Sequence, residues 1–134
     1  MSNKQETFGY IGLGNMGAAM ATNLQKHFSK NNLPAIVVYN RTVSRADPVR
    51  SFGASVADSA VEVVRRADII LTCLSNDAAV LETYTQLLGD PAIDLQGKIF
   101  VEQSTVYPST MTKVSEQVRS KGAILLACPI FGEI

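Results

Sequence analysis

The chain has 134 residues, enough for one domain with a buried core but short for two. Hydrophobic residues make up 46% and charged residues 18%, as in an ordinary globular protein. The 12 Lys and Arg residues balance the 12 Asp and Glu residues, so there is no net positive field to attract nucleic acid or an anionic membrane.

Targeting and metal-site signals are missing from the sequence. The stretch Met1–Thr7 is polar and no apolar run reaches the length of a membrane span, so we expect a cytosolic protein. Cys73 and Cys128 fit a reducing compartment, since the strand order predicted below separates them by roughly 9–10 Å, beyond disulfide reach. His27 has no Cys, His or carboxylate cluster around it in sequence, so we predict no metal site.

The first predicted element is an apolar strand over Thr7–Leu13 that runs into glycines spaced G-x-G-x-x-G. A helix follows, with apolar residues at a spacing of four: Met16, Met20, Leu24 and Phe28. A strand, this glycine spacing and a helix are together typical of a dinucleotide-binding turn.

Each glycine of this turn has a distinct expected role. Gly12 makes the tight turn, Gly14 lets backbone approach a pyrophosphate, and Gly17 lets the helix pack close on the strand. The phosphates would sit on free N–H groups at the helix start, where Leu13, Asn15 and Met16 carry no charge.

The second strand, Ala35–Tyr39, ends in Asn40, Arg41 and Thr42. An NAD-binding fold usually has an acidic residue here that binds the ribose 2′-hydroxyl, whereas a neutral Asn followed by Arg favours a 2′-phosphate. The alternative is that Arg41 is a solvated surface residue, as most arginines are. The position at the end of the second strand favours a role in NADP(H) binding.

The next elements are shorter. A helix over about Ala46–Phe52 is expected to turn Val49 and Phe52 inward, and a weak third strand follows at Ala54–Ala57. Ser59 then opens another helix with capping-box spacing to Glu62.

The fourth strand, Ile69–Leu74, leads into a turn with Cys73, Leu74 and Ser75 at the same sheet edge as the glycine turn. Asn76 or Asp77 is expected to cap the following helix. The core face of that helix is expected to be Val80, Leu81, Tyr84, Leu87 and Leu88.

The fifth strand, Lys98–Glu102, is followed by Ser104 and Thr105. Pro108 suits the first position of a helix that Gly122 ends, and Ala123–Ala127 forms the sixth strand.

Alternating strands and helices with short connections predict a doubly wound parallel α/β sheet, a Rossmann fold, with strand order 3-2-1-4-5-6 and helices on both faces. Right-handed crossovers place the ligand crevice beyond the carboxyl ends of the first and fourth strands. The glycine turn and the segments 40–42, 73–75 and 104–105 converge there.

Three segments resemble the β-hydroxyacid dehydrogenase family, which includes 6-phosphogluconate, 3-hydroxyisobutyrate and glyoxylate or succinic semialdehyde enzymes. They are the extended glycine motif from Gly12, the Tyr39–Thr42 segment typical of NADP-using members, and Ser104-Thr105 ahead of Pro108. The resemblance implies that Leu74 and Ser75 border the cofactor, that Thr105 lies near the nicotinamide and that Ser104 helps to hold a substrate carboxylate.

The resemblance weakens toward the end of the chain. In the family's substrate loop D-A-P-V-S-G-G, Pro129 and Gly132 match, while the acid, the serine and the second glycine are replaced by Ala127, Phe131 and Glu133. The family's catalytic lysine would lie beyond Ile134, as would its helical substrate domain. We therefore expect residues 1–134 to be a single NADP-binding domain that holds cofactor but cannot reduce a substrate alone.

Two alternatives stay open. One is an active NADPH-dependent reductase of small hydroxy or oxo acids completed by another chain, and the other is a dinucleotide-sensing or interaction module. Strand 123–127 should be an unprotected sheet edge, so we also expect homo-oligomers that form through it.

Overall fold

The computed structural model describes residues 5–130 and has six strands, five α-helices and one 3₁₀ helix in that range. The strands are β1 (Phe8–Ile11), β2 (Val37–Tyr39), β3 (Ser55–Val56), β4 (Ile69–Thr72), β5 (Ile99–Glu102) and β6 (Ile124–Ala127). The helices are α1 (Asn15–Lys30), α2 (Asp47–Arg50), α3 (Ala60–Arg66), α4 (Asp77–Gly89) and α5 (Pro108–Ser120), with the 3₁₀ helix at Val43–Ala46.

All six strands pair in parallel in the order β3-β2-β1-β4-β5-β6, which confirms the predicted Rossmann topology. The register pairs Ile11 with Tyr39 on one side and with Thr72 on the other. The carboxyl ends of the central strands therefore lie side by side, and the loops that follow them share one edge of the sheet.

The two faces of the sheet carry separate cores. Helices α1 and α2 pack on β1, β2 and β3 around Tyr10, Phe28, Val38 and Val49. Helices α3, α4 and α5 pack on the opposite face around Val63, Ile70, Tyr84, Phe100 and Val114.

The buried residues of α1 are Gly17, Ala21, Gln25 and Phe28. The predicted apolar positions Met16, Met20 and Leu24 are only half-buried. Gln25 is 2% exposed. Its amide donates to Ser29 Oγ and to the carbonyl of Phe52, and its Oε1 accepts from the N–H of Ile36. A buried polar side chain is stable here because its hydrogen-bonding groups have partners.

Phe52 was predicted to face inward, and that prediction is wrong. The segment predicted as one helix is split into the 3₁₀ helix and the four-residue α2, and Phe52 lies in the turn beyond α2 with 42% of its surface exposed. Its ring centroid lies 4.6 Å from Nζ of Lys26 on α1, which is a cation–π contact at the surface.

The face of β6 opposite α5 has no helix on it within the described residues. Side chains alternate along a strand, and Leu125 packs into the core while Ile124 and Leu126 are 53% and 49% exposed. Strand β6 is also the last strand of the sheet, as predicted.

Candidate functional site

The segments that were predicted to converge do line one open cleft at the carboxyl ends of the central strands, with a volume of about 870 Å³. This volume falls in the range of small-molecule and cofactor sites. The lining residues that were predicted from sequence are Gly12, Gly14, Asn15, Met16, Gly17, Asn40, Arg41, Cys73, Leu74, Ser75, Ser104 and Thr105.

Two predicted site residues, Leu13 and Thr42, do not line this cleft. The side chain of Leu13 is fully buried in the core beneath α1, and its backbone N–H donates to Asn40 Oδ1 at 2.8 Å. Thr42 receives a hydrogen bond on its carbonyl from Asn40 Nδ2 at 3.0 Å. Both residues therefore take part through backbone atoms that fix the loop after β2 against the glycine turn.

Packing fixes two of the three glycines. Gly12 has a φ of +98°, which favours glycine, and a Cβ there would collide with the carbonyl of Cys73. A Cβ on Gly17 would collide with the carbonyl of Gly12, so α1 could not start this close to β1. These contacts explain why the turn needs glycine at both positions.

Gly14 has a different environment, because a Cβ there would meet no atom of residues 5–130 within 4 Å and its φ of −67° suits any residue. It is the N-cap of α1, and neither a capping side chain nor an acidic residue satisfies the first turn. The open N–H groups and the positive end of the helix dipole thus face the cleft and suit an anion such as a pyrophosphate.

Arg41 is the cation at the end of β2. Its guanidinium is largely exposed, and Nη2 lies 3.3 Å from Oε1 of Glu82 on α4. A second arginine, Arg45 of the 3₁₀ helix, donates to Oδ1 of Asn15 at 3.4 Å and so lies beside the start of α1. Two cations therefore sit near one end of the cleft.

The turn after β4 is tied to the turn after β5. The N–H of Leu74 donates to Ser104 Oγ at 2.7 Å, and the N–H of Ser104 donates to Glu102 Oε1 at 2.9 Å. Ser104 is 2% exposed, and its hydroxyl, which accepts from Leu74, keeps its own hydrogen to donate to a ligand. Thr105 is exposed and donates to the carbonyl of Ile130 at 3.1 Å.

The remaining residues of the substrate-loop comparison, Phe131, Gly132 and Glu133, lie outside the described residues, as does Ile134. Ile130 is described and lines the cleft. Its N–H donates to the carbonyl of Gln103 at 3.3 Å, so the chain after β6 runs back toward the turn that follows β5.

A buried polar cluster under the cleft was missed at the sequence level. Glu102 is fully buried and accepts hydrogen bonds from Thr72 Oγ1 and the N–H of Ser104. Thr72 Oγ1 also lies 3.2 Å from the hydroxyl of Tyr84, and burial, followed by the nearby Glu102 carboxylate, raises the pKa of Tyr84 well above its usual value. The only sequence signal was a carboxylate ending an apolar strand.

The charge of Glu102 also acts on Cys73 and Tyr10, which pack in the core on the other face of the sheet. Burial raises the pKa of the Cys73 thiol, with a further contribution from the Glu102 charge. Burial is also the main cause of a raised pKa for Tyr10, whose hydroxyl donates to Gln103 Oε1 at 2.6 Å. Both groups are therefore held in their neutral forms.

One wall of the cleft, the polar side of α4, was also missed. Val80, Tyr84 and Leu87 face the core, while a second set of α4 residues lines the cleft: Ala78, Ala79, Glu82, Thr83 and Gln86. Helical periodicity separates these two faces, and only the apolar face was predicted from the sequence.

Neither a metal cluster nor a membrane helix is found in the part of the chain that the structure describes. No group of three or more His, Cys, Asp or Glu residues is placed to hold a metal ion among residues 5–130. Across the same residues, no helix has both the length and the apolar content needed to cross a bilayer.

Comparison with known proteins points to one family. A family model described as the NAD binding domain of 6-phosphogluconate dehydrogenase matches residues 7–133. Glyoxylate/succinic semialdehyde reductase 1 of Arabidopsis thaliana is 34% identical over 124 residues, which is 92% of this chain and 41% of that protein.

Solved structures agree with this assignment. The 3-hydroxyisobutyrate dehydrogenase of Mycobacterium tuberculosis with L-serine has a TM-score of 0.79 at 27% identity, covering 96% of this chain and 42% of that one. A reductive aminase from Aspergillus terreus in complex with NADPH and ethyl-5-oxohexanoate has a TM-score of 0.74 at 29% identity, covering 91% and 40%. This chain thus spans about two fifths of each relative.

The glycine turn, the strand order and the family model agree, and the segments named in the sequence comparison lie around one cleft. The chain therefore belongs to the family of 6-phosphogluconate dehydrogenase NAD-binding domains and is an NAD(P)-binding domain of the β-hydroxyacid dehydrogenase type.

Proposed function

We propose that the cleft binds NADPH in preference to NADH. The single observation that carries this proposal is the pairing of a neutral Asn40, whose amide is used to hold the glycine turn, with an exposed Arg41 that lines the cleft. A carboxylate that could accept from a ribose 2′-hydroxyl is replaced here by a cation that suits a 2′-phosphate. The relative solved with NADPH is in keeping with this choice.

The other proposed contacts with the cofactor follow from which segments line the cleft. The pyrophosphate would lie on the N–H groups at the start of α1, next to Gly14. Leu74 and Ser75 would border the cofactor, and Thr105 would lie near its nicotinamide end. The free hydrogen of the Ser104 hydroxyl would be offered to a substrate carboxylate.

The decisive test is titration of both cofactors against the wild type and the Arg41→Ala variant. One charge-assisted contact of ~1.5–3 kcal/mol gives the wild type about a ten- to hundredfold preference for NADPH, which Arg41→Ala should remove. Arg65→Ala is the matched control, because Arg65 is an exposed arginine on α3 paired with Glu62 rather than a lining residue. Equal wild-type affinities for the two cofactors would refute the proposal.

We further propose that residues 1–134 hold cofactor without reducing a substrate by themselves. Hydride transfer to an oxo acid needs a proton donor at the substrate oxygen, which contributes about 10²–10⁴-fold to rate. Among the described residues that line the cleft there is no lysine or histidine. Lys113 and Lys121, on or just after α5, are exposed and do not line the cleft.

The test is NADPH oxidation by the purified chain over a panel of small oxo acids, including glyoxylate and succinic semialdehyde. We expect no saturable turnover. Turnover that Gly14→Val abolishes would instead favour the alternative, an NADPH-dependent reductase of small hydroxy or oxo acids.

Cytosolic location remains a prediction, to be checked by imaging a tagged full-length protein.

A further inference from the structure

The loop after β2 and helix α4 are connected across the mouth of the cleft by one ion pair. Arg41 Nη2 lies 3.3 Å from Glu82 Oε1, between residues 41 positions apart in sequence. Both residues line the cleft, and both side chains are largely exposed, at 84% and 70%. The pair therefore occupies space that an incoming ligand has to share.

Glu82 faces the cleft because of its helical register. Val80, Tyr84 and Leu87 are fully buried against the sheet, which turns the intervening position 82 away from the core. Ala79 and Gln86, three residues before and four residues after Glu82 on the same helix face, also line the cleft. The carboxylate is thus directed by a well-packed helix toward Arg41.

We infer that Glu82 is a specificity-determining residue whose carboxylate competes with a ribose 2′-phosphate for Arg41. This inference rests on the proposed NADPH preference. A phosphate monoester has about two negative charges and three acceptor oxygens at neutral pH, so it displaces a single carboxylate from the guanidinium. Breaking the Arg41–Glu82 pair costs the free energy of that contact, which lowers the affinity for NADPH.

The competition affects only ligands that carry the 2′-phosphate. NADH has a 2′-hydroxyl there, which neither requires Arg41 nor is repelled by a carboxylate, so Glu82 leaves NADH binding unchanged. An exposed pair of this kind is screened by salt, and removing it tightens NADPH binding by about two- to fivefold at low ionic strength.

The experiment is calorimetric titration of wild type and Glu82→Gln with NADPH and NADH at low ionic strength. The fragments 2′,5′-ADP and 5′-AMP, which carry only the adenosine end, are titrated in parallel. Glu62→Gln is the matched control, because Glu62 forms an ion pair with Arg65 on α3, at 3.5 Å, away from the cleft, and the variant changes net charge equally. The Glu82→Gln change is also introduced into the Arg41→Ala background.

Glu82→Gln should tighten NADPH and 2′,5′-ADP by about two- to fivefold, leave NADH and 5′-AMP unchanged, and lose its effect when Arg41 is alanine. Unchanged or weaker binding of 2′,5′-ADP by Glu82→Gln overturns the inference, and so does an equal gain in the Arg41→Ala background. If the wild type prefers NADPH but Glu82→Gln has no effect, only this inference fails. If the wild type does not distinguish the cofactors, the proposed function fails first.

Discussion

The backbone N–H of Leu13 donates a hydrogen bond of 2.8 Å to Oδ1 of Asn40, which joins the glycine turn to the end of the second strand. The same side chain donates through Nδ2 to the carbonyl of Thr42 at 3.0 Å. Asn40 therefore connects two segments that would hold different parts of the cofactor, and it does so with both ends of its amide.

This arrangement predicts that Asn40→Asp reverses cofactor preference. The aspartate carboxylate can still accept from the N–H of Leu13, but it cannot donate to the carbonyl of Thr42. It also adds a negative charge beside Arg41. We expect NADPH affinity to fall by about tenfold or more, from the loss of ~1.5–3 kcal/mol at the phosphate, while NADH affinity stays the same or rises.

Isothermal titration calorimetry with NADPH and NADH measures the two affinities, and Asn40→Ala is the comparison. Alanine removes both hydrogen bonds of the Asn40 amide without adding charge, so it should weaken the binding of both cofactors to a similar extent. An aspartate variant that still prefers NADPH as strongly as the wild type would contradict the assigned geometry.

The three glycines of the turn should separate into packing and binding roles. Gly17→Ala forces a Cβ against the carbonyl of Gly12 and should destabilise the fold by ~1–3 kcal/mol. The added methyl group of Gly14→Ala meets none of the described atoms within 4 Å, so the melting temperature should hardly change. A methyl group there would instead hold the pyrophosphate off the N–H groups and weaken NADPH by about tenfold or more.

Thermal denaturation and cofactor titration of the two variants provide the measurements. Gly89→Ala is the control, because Gly89 ends α4, a Cβ there would have no neighbour within 4 Å among the residues that the structure describes, and the residue does not line the cleft. Normal cofactor affinity in Gly14→Ala would show that the pyrophosphate does not approach this residue.

Asp77 should stabilise the protein in a pH-dependent way. Its Oδ2 accepts from the hydroxyl of Thr110 at 2.6 Å and from the N–H of Tyr107 at 3.0 Å, at the start of α5. These two hydrogen bonds, the Thr110 bond first, lower the pKa of the Asp77 carboxyl below its usual value. Asp77→Ala should therefore lower the melting temperature by a few degrees at neutral pH.

The sign of the pH effect follows from the lowered pKa. The stabilisation is fully present above the unfolded pKa of about 3.9 and is lost as pH falls through the lower folded value. The gap in melting temperature between wild type and Asp77→Ala should thus narrow below about pH 4. Glu116→Ala is the control, because Glu116 is an exposed carboxylate on α5, and its melting temperature should differ less from that of the wild type. A difference for Asp77→Ala that does not depend on pH would argue against hydrogen bonds to an ionised Asp77.

Self-association is expected at β6. Ile124 and Leu126 are about half exposed on a strand that ends the sheet, and the strand contains neither proline nor a charge to discourage pairing. We expect a concentration-dependent dimer of the purified chain that Leu126→Lys disrupts. Light scattering over a concentration series is the measurement.

Val43→Lys is the control for this prediction. Val43 is 60% exposed and lies in the 3₁₀ helix after β2, remote from β6 in the strand order. A chain that remains monomeric at every concentration, with or without Leu126→Lys, would rule out this interface.

The sequence was sufficient for the features that depend on local pattern. The glycine spacing, the apolar strands and the short connections define the Rossmann topology, because each strand and helix can be recognised from its own residues. Ser59 was likewise expected to cap α3, and its Oγ accepts from the N–H of Glu62. These predictions needed no knowledge of which segments meet in space.

The errors and omissions concern contacts between distant segments. Asn76 caps α4 itself, while Asp77 reaches across to α5, and sequence offered the two as alternatives for one role. The pairing of Arg41 with Glu82 likewise depends on how α4 packs. Phe52 was misplaced because α2 ends at Arg50, so the residue lies in the following turn, where it contacts Lys26 of another helix.

Two hydrogen bonds beneath the cleft join segments that are distant in sequence, and they determine when the cleft can form during synthesis. Tyr10 on the first strand donates to Gln103, 93 residues later, and the turn after β4 depends on Ser104 through Leu74. A growing chain can form the glycine turn early, yet the floor of the cleft has to wait until the fifth strand has left the ribosome. Cofactor can therefore assist only the last stage of folding, and a chain interrupted before that strand would gain no protection from it.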